Sequence, residues 1–122
     1  TGSDANRLRD DRTLLGQMLE TFVVGELRKQ LSWTNPQTAL YHFRTAAGSE
    51  VDAVLEKPDG SVAGIEVKAS ATVDTSDFAA LKELREQLGK RFITGVVLYT
   101  GDNLIPFGDK LWLVPLPILW EP

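Results

Sequence analysis

The stretch that decides the fold is residues 50–69, EVDAVLEKPDGSVAGIEVKA. Residues 49–57 and 61–69 each read as a β-strand, because β-branched and other apolar residues recur in both runs. Pro58-Asp59-Gly60 separates the two runs and is typical of a tight turn. We therefore predict that the runs pair as a β-hairpin.

The hairpin carries three charged residues that belong together chemically. Side chains of a strand alternate between its faces, so Glu66 and Lys68 project from one face, and pairing brings Asp52 beside Glu66. Two carboxylates and an ammonium group suit a metal-dependent phosphodiesterase, since carboxylates hold a divalent cation and lysine steadies water or phosphate charge. The alternative is an amphipathic hairpin whose Glu66 and Lys68 simply face solvent.

The flanking sequence predicts an α/β fold in which helices cover a mixed sheet. Apolar residues at helical spacing indicate a first helix over about 13–31, with Asp10 or Asp11 as its cap. A second helix is expected over 78–88, capped by Ser76 or Asp77 and ended by Gly89. Further strands are expected at 39–44, 92–100 and 111–114, with a loop at 101–109.

Composition narrows the chemistry of any metal site. The chain has 122 residues, the length of one domain, with no cysteine and a single histidine, His42. Disulfides, thiolate sites and multi-histidine zinc sites are therefore excluded. A metal would be bound through oxygen, which points to magnesium, manganese or calcium.

Charge and hydropathy constrain partners and location. The net charge of −4 disfavours tight nonspecific binding to nucleic acid, although a local basic patch remains open. The longest apolar stretch, 111–120, is too short to cross a membrane and contains two prolines. The polar start shows no signal peptide, so we expect a cytoplasmic protein. Residues 1–12 read as a cloning scar or linker, and 13–122 as one domain cut from a larger protein.

The order of these elements and residues resembles the restriction-endonuclease-like, or PD-(D/E)xK, superfamily. Asp52 matches the motif aspartate, and Glu66 and Lys68 match its E-x-K half. Glu20 on the first helix matches an additional helix glutamate of several relatives. Val51 stands where the motif proline would be.

Within that superfamily the chain is similar to the uncharacterised C-terminal domain of prokaryotic AAA+ ATPases, over roughly residues 14–120. The resemblance rests on an ordered set of segments: Gly16 to Leu27, Phe43-Arg44, Gly48 to Asp52, Ile65 to Ser70, Gly95 to Leu98, and Leu116 to Trp120. It implies an ATPase module upstream in the same chain. This stretch itself contains no Walker A sequence.

The resemblance implies a restriction-endonuclease-like mixed central sheet with flanking helices, and a Mg²⁺- or Mn²⁺-dependent nuclease acting on nucleic acid. The metal would be held by Asp52, Glu66 and the carbonyl of Val67. Lys68 would stabilise the transition state, and Glu20 would add a third carboxylate as a catalytic residue. The alternative is a non-catalytic module that binds nucleic acid or protein. A homo-oligomer also fits such a domain.

Three further residues have two interpretations each. Glu50 either pairs with Arg44 across the sheet or serves as a fourth ligand. Ser70 either binds phosphate or satisfies backbone at a strand end. His42 is either a general base or a partly buried sheet residue.

Overall fold

A computed structural model describes the backbone of residues 2–117, and the side chains of residues 14, 16–32 and 35–117. Its helices are α1 (Gly2–Thr34) and α2 (Ala79–Leu88), and α2 is flanked by 3₁₀ turns at Thr75–Phe78 and Gly89–Arg91. Its strands are β1 (Ala39–Arg44), β2 (Glu50–Glu56), β3 (Val62–Val67), β4 (Phe92–Tyr99), β5 (Ile105–Pro106) and β6 (Leu111–Pro115).

These strands form one six-stranded mixed sheet in the order β1-β2-β3-β4-β6-β5. Strands β1, β2 and β3 are antiparallel to one another. The β3–β4 and β4–β6 pairs are parallel, and β5 returns antiparallel to β6. The prediction of an α/β fold with a mixed sheet is confirmed.

The predicted hairpin is present and its turn has the expected geometry. Gly60 donates to the Lys57 carbonyl at 2.9 Å, and Lys57 donates to the Ser61 carbonyl at 2.9 Å. Gly60 has φ of +90°, a conformation that glycine adopts without steric penalty. The turn therefore sets the register in which Ala53 faces Ile65.

Two predicted boundaries were wrong. Helix α1 begins at Gly2, so Asp10 and Asp11 lie inside it and neither caps its start. Apolar periodicity misses residues 2–12 because Ala5 and Leu8 are their only apolar residues. Strand β5 lies within the predicted loop; it has only two residues and contains Pro106, which suits a sheet edge. Residues 118–120 of the terminal motif lie outside the described part of the chain.

The two helices cover opposite faces of the sheet. Val97 and Leu98 are neighbours in β4, yet they belong to different apolar cores. Leu98 packs in the core with Val23 and Leu27 of α1, whereas Val97 packs in the core that includes Leu81 of α2. No helix among the described residues is long and apolar enough to cross a membrane.

Paired glycines let α2 approach the sheet closely. Gly64 of β3 and Gly95 of β4 are register partners. A Cβ on Gly64 would lie 2.7 Å from Leu81 Cδ2, and a Cβ on Gly95 would lie 2.8 Å from Phe92 Cζ. Leu81 and Phe92 are fully buried, so neither side chain has free space into which to move.

We expect Gly95→Ala to destabilise the domain by about 1–3 kcal/mol, because the added methyl overpacks a filled core. Urea unfolding would measure the change. Gly16→Ala is the matched control: a Cβ there meets nothing within 4 Å, and removing a helix glycine should stabilise by up to about 1 kcal/mol. Equal stability of Gly95→Ala and the unaltered protein would contradict this account of the packing.

Candidate functional site

A β-bulge in β2 places Asp52. Across β1, Tyr41 faces Val54 and Phe43 faces Val51, so residues 52 and 53 together oppose one residue of β1. The extra residue breaks the alternation of side chains: Val51 packs in the α2 core, while Ala53 packs in the α1 core. Bulges commonly re-aim a side chain in this way.

The side chain of Asp52 bridges the point where the hairpin opens. The regular β2–β3 pairing extends as far as Ala53 and Ile65. Beyond it, Asp52 Oδ2 accepts a hydrogen bond of 2.7 Å from the Val67 backbone N–H. Lys68 then donates its backbone N–H to the Leu98 carbonyl at 2.8 Å, so the chain continues along β4.

Glu66 lies close to Asp52 and is half-buried. Its Oε2 atom is buried and has no hydrogen-bond partner in the described part of the chain. Burial, together with the negative charges of Asp52 and Asp77, raises the pKa of Glu66 to about 8, and the positive charge of Lys68 opposes the rise. An unsatisfied buried oxygen is costly, which makes this atom a candidate cation ligand.

The pKa of Asp52 is raised as well, to about 7. Burial is the main cause, the Val67 N–H opposes it, and the nearby charge of Glu20 adds to it. Glu20 lies on α1, one turn before the buried Val23. The structure therefore brings all three predicted carboxylates, Glu20, Asp52 and Glu66, into electrostatic contact from three elements.

The donor set fits a hard cation. Within the described range, no three His, Cys, Asp or Glu side chains are placed to hold a metal together. The candidate set is therefore a carboxylate pair, Asp52 and Glu66, with the Val67 carbonyl predicted as a further oxygen ligand. Magnesium and manganese accept such oxygen ligands and commonly keep several waters.

Lys68 interacts with Asp77, which the sequence predicted, as an alternative to Ser76, to be the helix cap; that prediction was wrong, because the capping residue is Asp74. Lys68 Nζ donates to Asp77 Oδ2 at 2.6 Å. The same oxygen accepts the Asp74 backbone N–H at 2.9 Å and completes a capping box at the start of the 3₁₀ turn. Asp77 thus connects the 3₁₀ turn at Thr75–Phe78 to the end of β3. The D-x-x-D spacing of 74–77 signals the cap, but nothing in it signals the contact with Lys68.

The remaining candidates are placed as follows. Arg44 donates to Glu50 Oε1, its Nε at 3.0 Å, so the predicted cross-strand pair is present. His42 is half exposed, with Nε2 3.5 Å from Glu50 Oε2. Ser70 accepts the Thr72 backbone N–H and donates to its carbonyl, both at 3.0 Å, as the structural interpretation expects.

A cavity of about 430 Å³ adjoins the carboxylates. It lies between α1 and β1, and Glu20 and Asp52 form part of its wall. The basic residue Arg28 also lines it. Two other arginines, Arg85 and Arg91, instead donate to the Asp109 and Gly60 carbonyls and so stabilise the scaffold.

The chain belongs to the family described as Domain of unknown function (DUF4143), whose profile matches residues 15–119. That span agrees with residues 14–120, over which the sequence resembles an uncharacterised ATPase-associated domain. No curated protein and no solved structure matches the chain.

We expect Glu66→Gln to stabilise the metal-free domain at alkaline pH. In the unfolded chain Glu66 has an ordinary pKa of 4.5, and in the folded protein about 8. Between pH 4.5 and pH 8, Glu66 is therefore protonated in the folded protein and ionised in the unfolded chain. The contribution of Glu66 to the free energy of unfolding is fully present below about pH 4.5 and is lost as the pH rises through 8. Glutamine cannot ionise, so the variant escapes that loss.

Urea unfolding at pH 5 and pH 9, with a chelator present, would measure the difference, which should be on the order of 1–3 kcal/mol at pH 9. Glu86→Gln, at an exposed position on α2, is the control and should stay within about 0.5 kcal/mol of the unaltered protein. A parallel pH profile for Glu66→Gln and the unaltered protein would contradict the burial of an ionisable Glu66.

We also expect Asp77→Ala to cost about 1–2 kcal/mol of unfolding free energy, because it removes one of the two hydrogen bonds of the capping box and the partner of Lys68. Asp77→Asn should cost less, since its amide oxygen still accepts the Asp74 N–H. Asp102→Ala, in an exposed loop, should be nearly neutral. Thermal unfolding at pH 7 would rank the three variants, and an Asp77→Ala protein as stable as Asp102→Ala would sink this assignment.

Proposed function

We propose that this member of the DUF4143 family is a nuclease-like domain of the PD-(D/E)xK type that hydrolyses phosphodiester bonds of nucleic acid with Mg²⁺ or Mn²⁺. The observation that carries the proposal is Glu66 Oε2, a buried carboxylate oxygen without a hydrogen-bond partner in the described part, beside a second carboxylate at the open end of a hairpin. A hard cation would satisfy that oxygen and offset the repulsion between Asp52 and Glu66.

Each proposed ligand is fixed by its own part of the scaffold. Asp52 Oδ2 accepts the Val67 N–H, and the carboxyl group of Asp52 also lies within hydrogen-bond reach of Glu20. Glu66 and Val67 are consecutive in β3, so their side chain and carbonyl are positioned by the same strand. A bound metal would supply Lewis-acid activation of water and neutralise phosphate charge.

Glu20 would act on the proton of the attacking water, and Lys68 on the negative charge of the phosphate. Glu20 is close enough to Asp52 to orient a water or accept its proton. Lys68 carries a positive charge at the end of β3, where it would stabilise negative charge developing on the phosphate. Asp77 holds Lys68 Nζ at this end of the sheet.

The second candidate, a non-catalytic binding module, is favoured by the same ion pair. Because Asp77 binds Lys68 Nζ at 2.6 Å, the lysine is already engaged and must exchange partners to reach a substrate. A domain that keeps the carboxylates and never releases Lys68 would bind nucleic acid without cutting it. The two candidates therefore differ in whether Lys68 contributes to a chemical step.

The setting of the domain is proposed from the resemblance. We place it in the cytoplasm, beside an ATPase module in the same chain, in an assembly that allows more than one copy. Helix α1 supports contact with another protein surface, because Leu14, Met18 and Phe22 are each more than half exposed at four-residue spacing.

We expect the unaltered domain to bind Mn²⁺ in calorimetry and Asp52→Asn to bind it at least about tenfold more weakly, since a neutral amide is a poorer ligand for a hard cation. Binding should tighten from pH 6 to pH 9, because metal must displace protons from Asp52 and Glu66, whose pKa values are about 7 and 8. The Asn variant should remain folded, since its amide oxygen still accepts the Val67 N–H.

Asp59→Asn is the matched control, the same exchange in the same hairpin but in the exposed turn. Cleavage of labelled single-stranded, duplex and branched nucleic acid with Mn²⁺ then separates the two candidates. A nuclease should cut at least one substrate, and Lys68→Met should bind Mn²⁺ yet not cut. Manganese binding by Asp52→Asn equal to that of the unaltered domain would refute the site, and binding without cleavage would favour the recognition module.

A further inference from the structure

The cavity beside the carboxylates has the size and position of a ligand site. Its volume of about 430 Å³ falls within the range of ligand pockets. One part of its wall is acidic, formed by Glu20 and Asp52, and another part carries Arg28, Tyr41 and His42. A molecule that fills it would therefore contact both the proposed catalytic carboxylates and the guanidinium group of Arg28.

Gly25 indicates that this space is kept open. It lies in the interior of α1 and lines the cavity. Its φ is not in the left-handed region, and a Cβ there would meet nothing within 4 Å. Neither backbone conformation nor packing requires glycine, although glycine costs a helix about 1 kcal/mol relative to alanine. A larger residue would improve the helix and fill the cavity.

The lining matches the parts of one nucleotide. Arg28 provides a guanidinium, the group best suited to phosphate oxygens. His42 lies on the face of β1 that α1 covers, is half exposed, and offers a ring on which a base can stack. The faces of a base inside a duplex are already stacked on its neighbours, so a nucleotide whose base stacks on His42 must be unpaired.

We infer that this cavity binds one unpaired nucleotide of a single-stranded nucleic acid, with its phosphate beside Arg28 and its base on His42. The inference rests on the proposed function and assigns it a substrate class, single strands or unpaired ends. The neighbouring phosphodiester then lies against the carboxylate cluster, which is where hydrolysis is proposed.

Binding of fluorescein-labelled single strands of about twelve nucleotides, thymidine or uridine, would test the inference against a duplex of the same length by anisotropy. The binding is measured once with calcium in place of manganese and once with a chelator and no divalent cation. The unaltered domain should bind a single strand at least about tenfold tighter than the duplex. His42→Ala should weaken binding by about 5- to 100-fold, the loss expected for one stacked base.

Gly25→Gln is the decisive variant, because it should fill the cavity while stabilising α1, so that lost binding cannot be ascribed to unfolding. Gly16→Gln makes the same exchange in the same helix, at a glycine that also has open space but does not line the cavity. We expect at least about tenfold weaker single-strand binding for Gly25→Gln and no change for Gly16→Gln.

Manganese calorimetry on Gly25→Gln separates this inference from the proposed function. Retained manganese binding together with weakened single-strand binding supports both. Equal binding of duplex and single strand, or full single-strand binding by Gly25→Gln, overturns the inference and leaves the metal site standing. Single-strand binding that Gly25→Gln weakens, in a protein that binds no manganese, would support the cavity assignment and reject the metal-dependent function.

Discussion

The hydrogen bond from the Val67 N–H to Asp52 Oδ2 is the contact on which the site depends. Strands β2 and β3 must separate for their charged residues to face a common space, and separation leaves backbone groups without partners. The Asp52 carboxylate supplies one of those partners. The bulge that lets it do so also moves Val51 and Ala53 into different cores. The packing of Val51 and Ala53 in the two apolar cores thus holds this local irregularity in place.

The carboxylates are retained at a cost to stability. Burial and like charge raise the pKa of Asp52 to about 7 and that of Glu66 to about 8, so both resist ionising in the folded state. A fold selected for stability alone would replace Glu66 with an apolar residue of similar size. Ionisable groups whose pKa is shifted far from its ordinary value concentrate at functional sites, where a bound ligand can offset the cost of burying them.

The hairpin was predictable because its signals are local. Pro58-Asp59-Gly60 specifies the turn, and strand periodicity places Glu66 and Lys68 on one face. The alignment of Asp52 with Glu66 followed from that register. The bulge did not follow, because it depends on how β1 pairs with β2, through register partners that are 13 and 8 positions apart in the chain, Tyr41 with Val54 and Phe43 with Val51. Helix α1 was predicted too short for a different reason, since its first turns carry no apolar stripe.

The partner of Lys68 shows the limit of motif reasoning. The motif lysine was expected to act on phosphate, yet its contact is with Asp77, nine residues later and across a turn. Asp77 also has a local structural role, because its carboxylate accepts the backbone N–H of Asp74 in a capping box. One side chain therefore satisfies a local rule and a tertiary contact together, and sequence alone indicates only the first.

Charge decides the order in which a nucleic acid and a cation can reach this site. Glu20, Asp52, Glu66 and Asp77 converge there, and Lys68 is the nearest basic partner in the described contacts. Phosphate is repelled by ionised carboxylates, whereas a bound divalent cation or protons on Asp52 and Glu66 remove the repulsion. Screening limits such effects to about 8–10 Å at physiological salt, so the net charge of −4 matters less than these few groups. Under the proposed function, a substrate phosphate would therefore enter after the cation, and Arg28 on the cavity wall would hold the strand in the meantime.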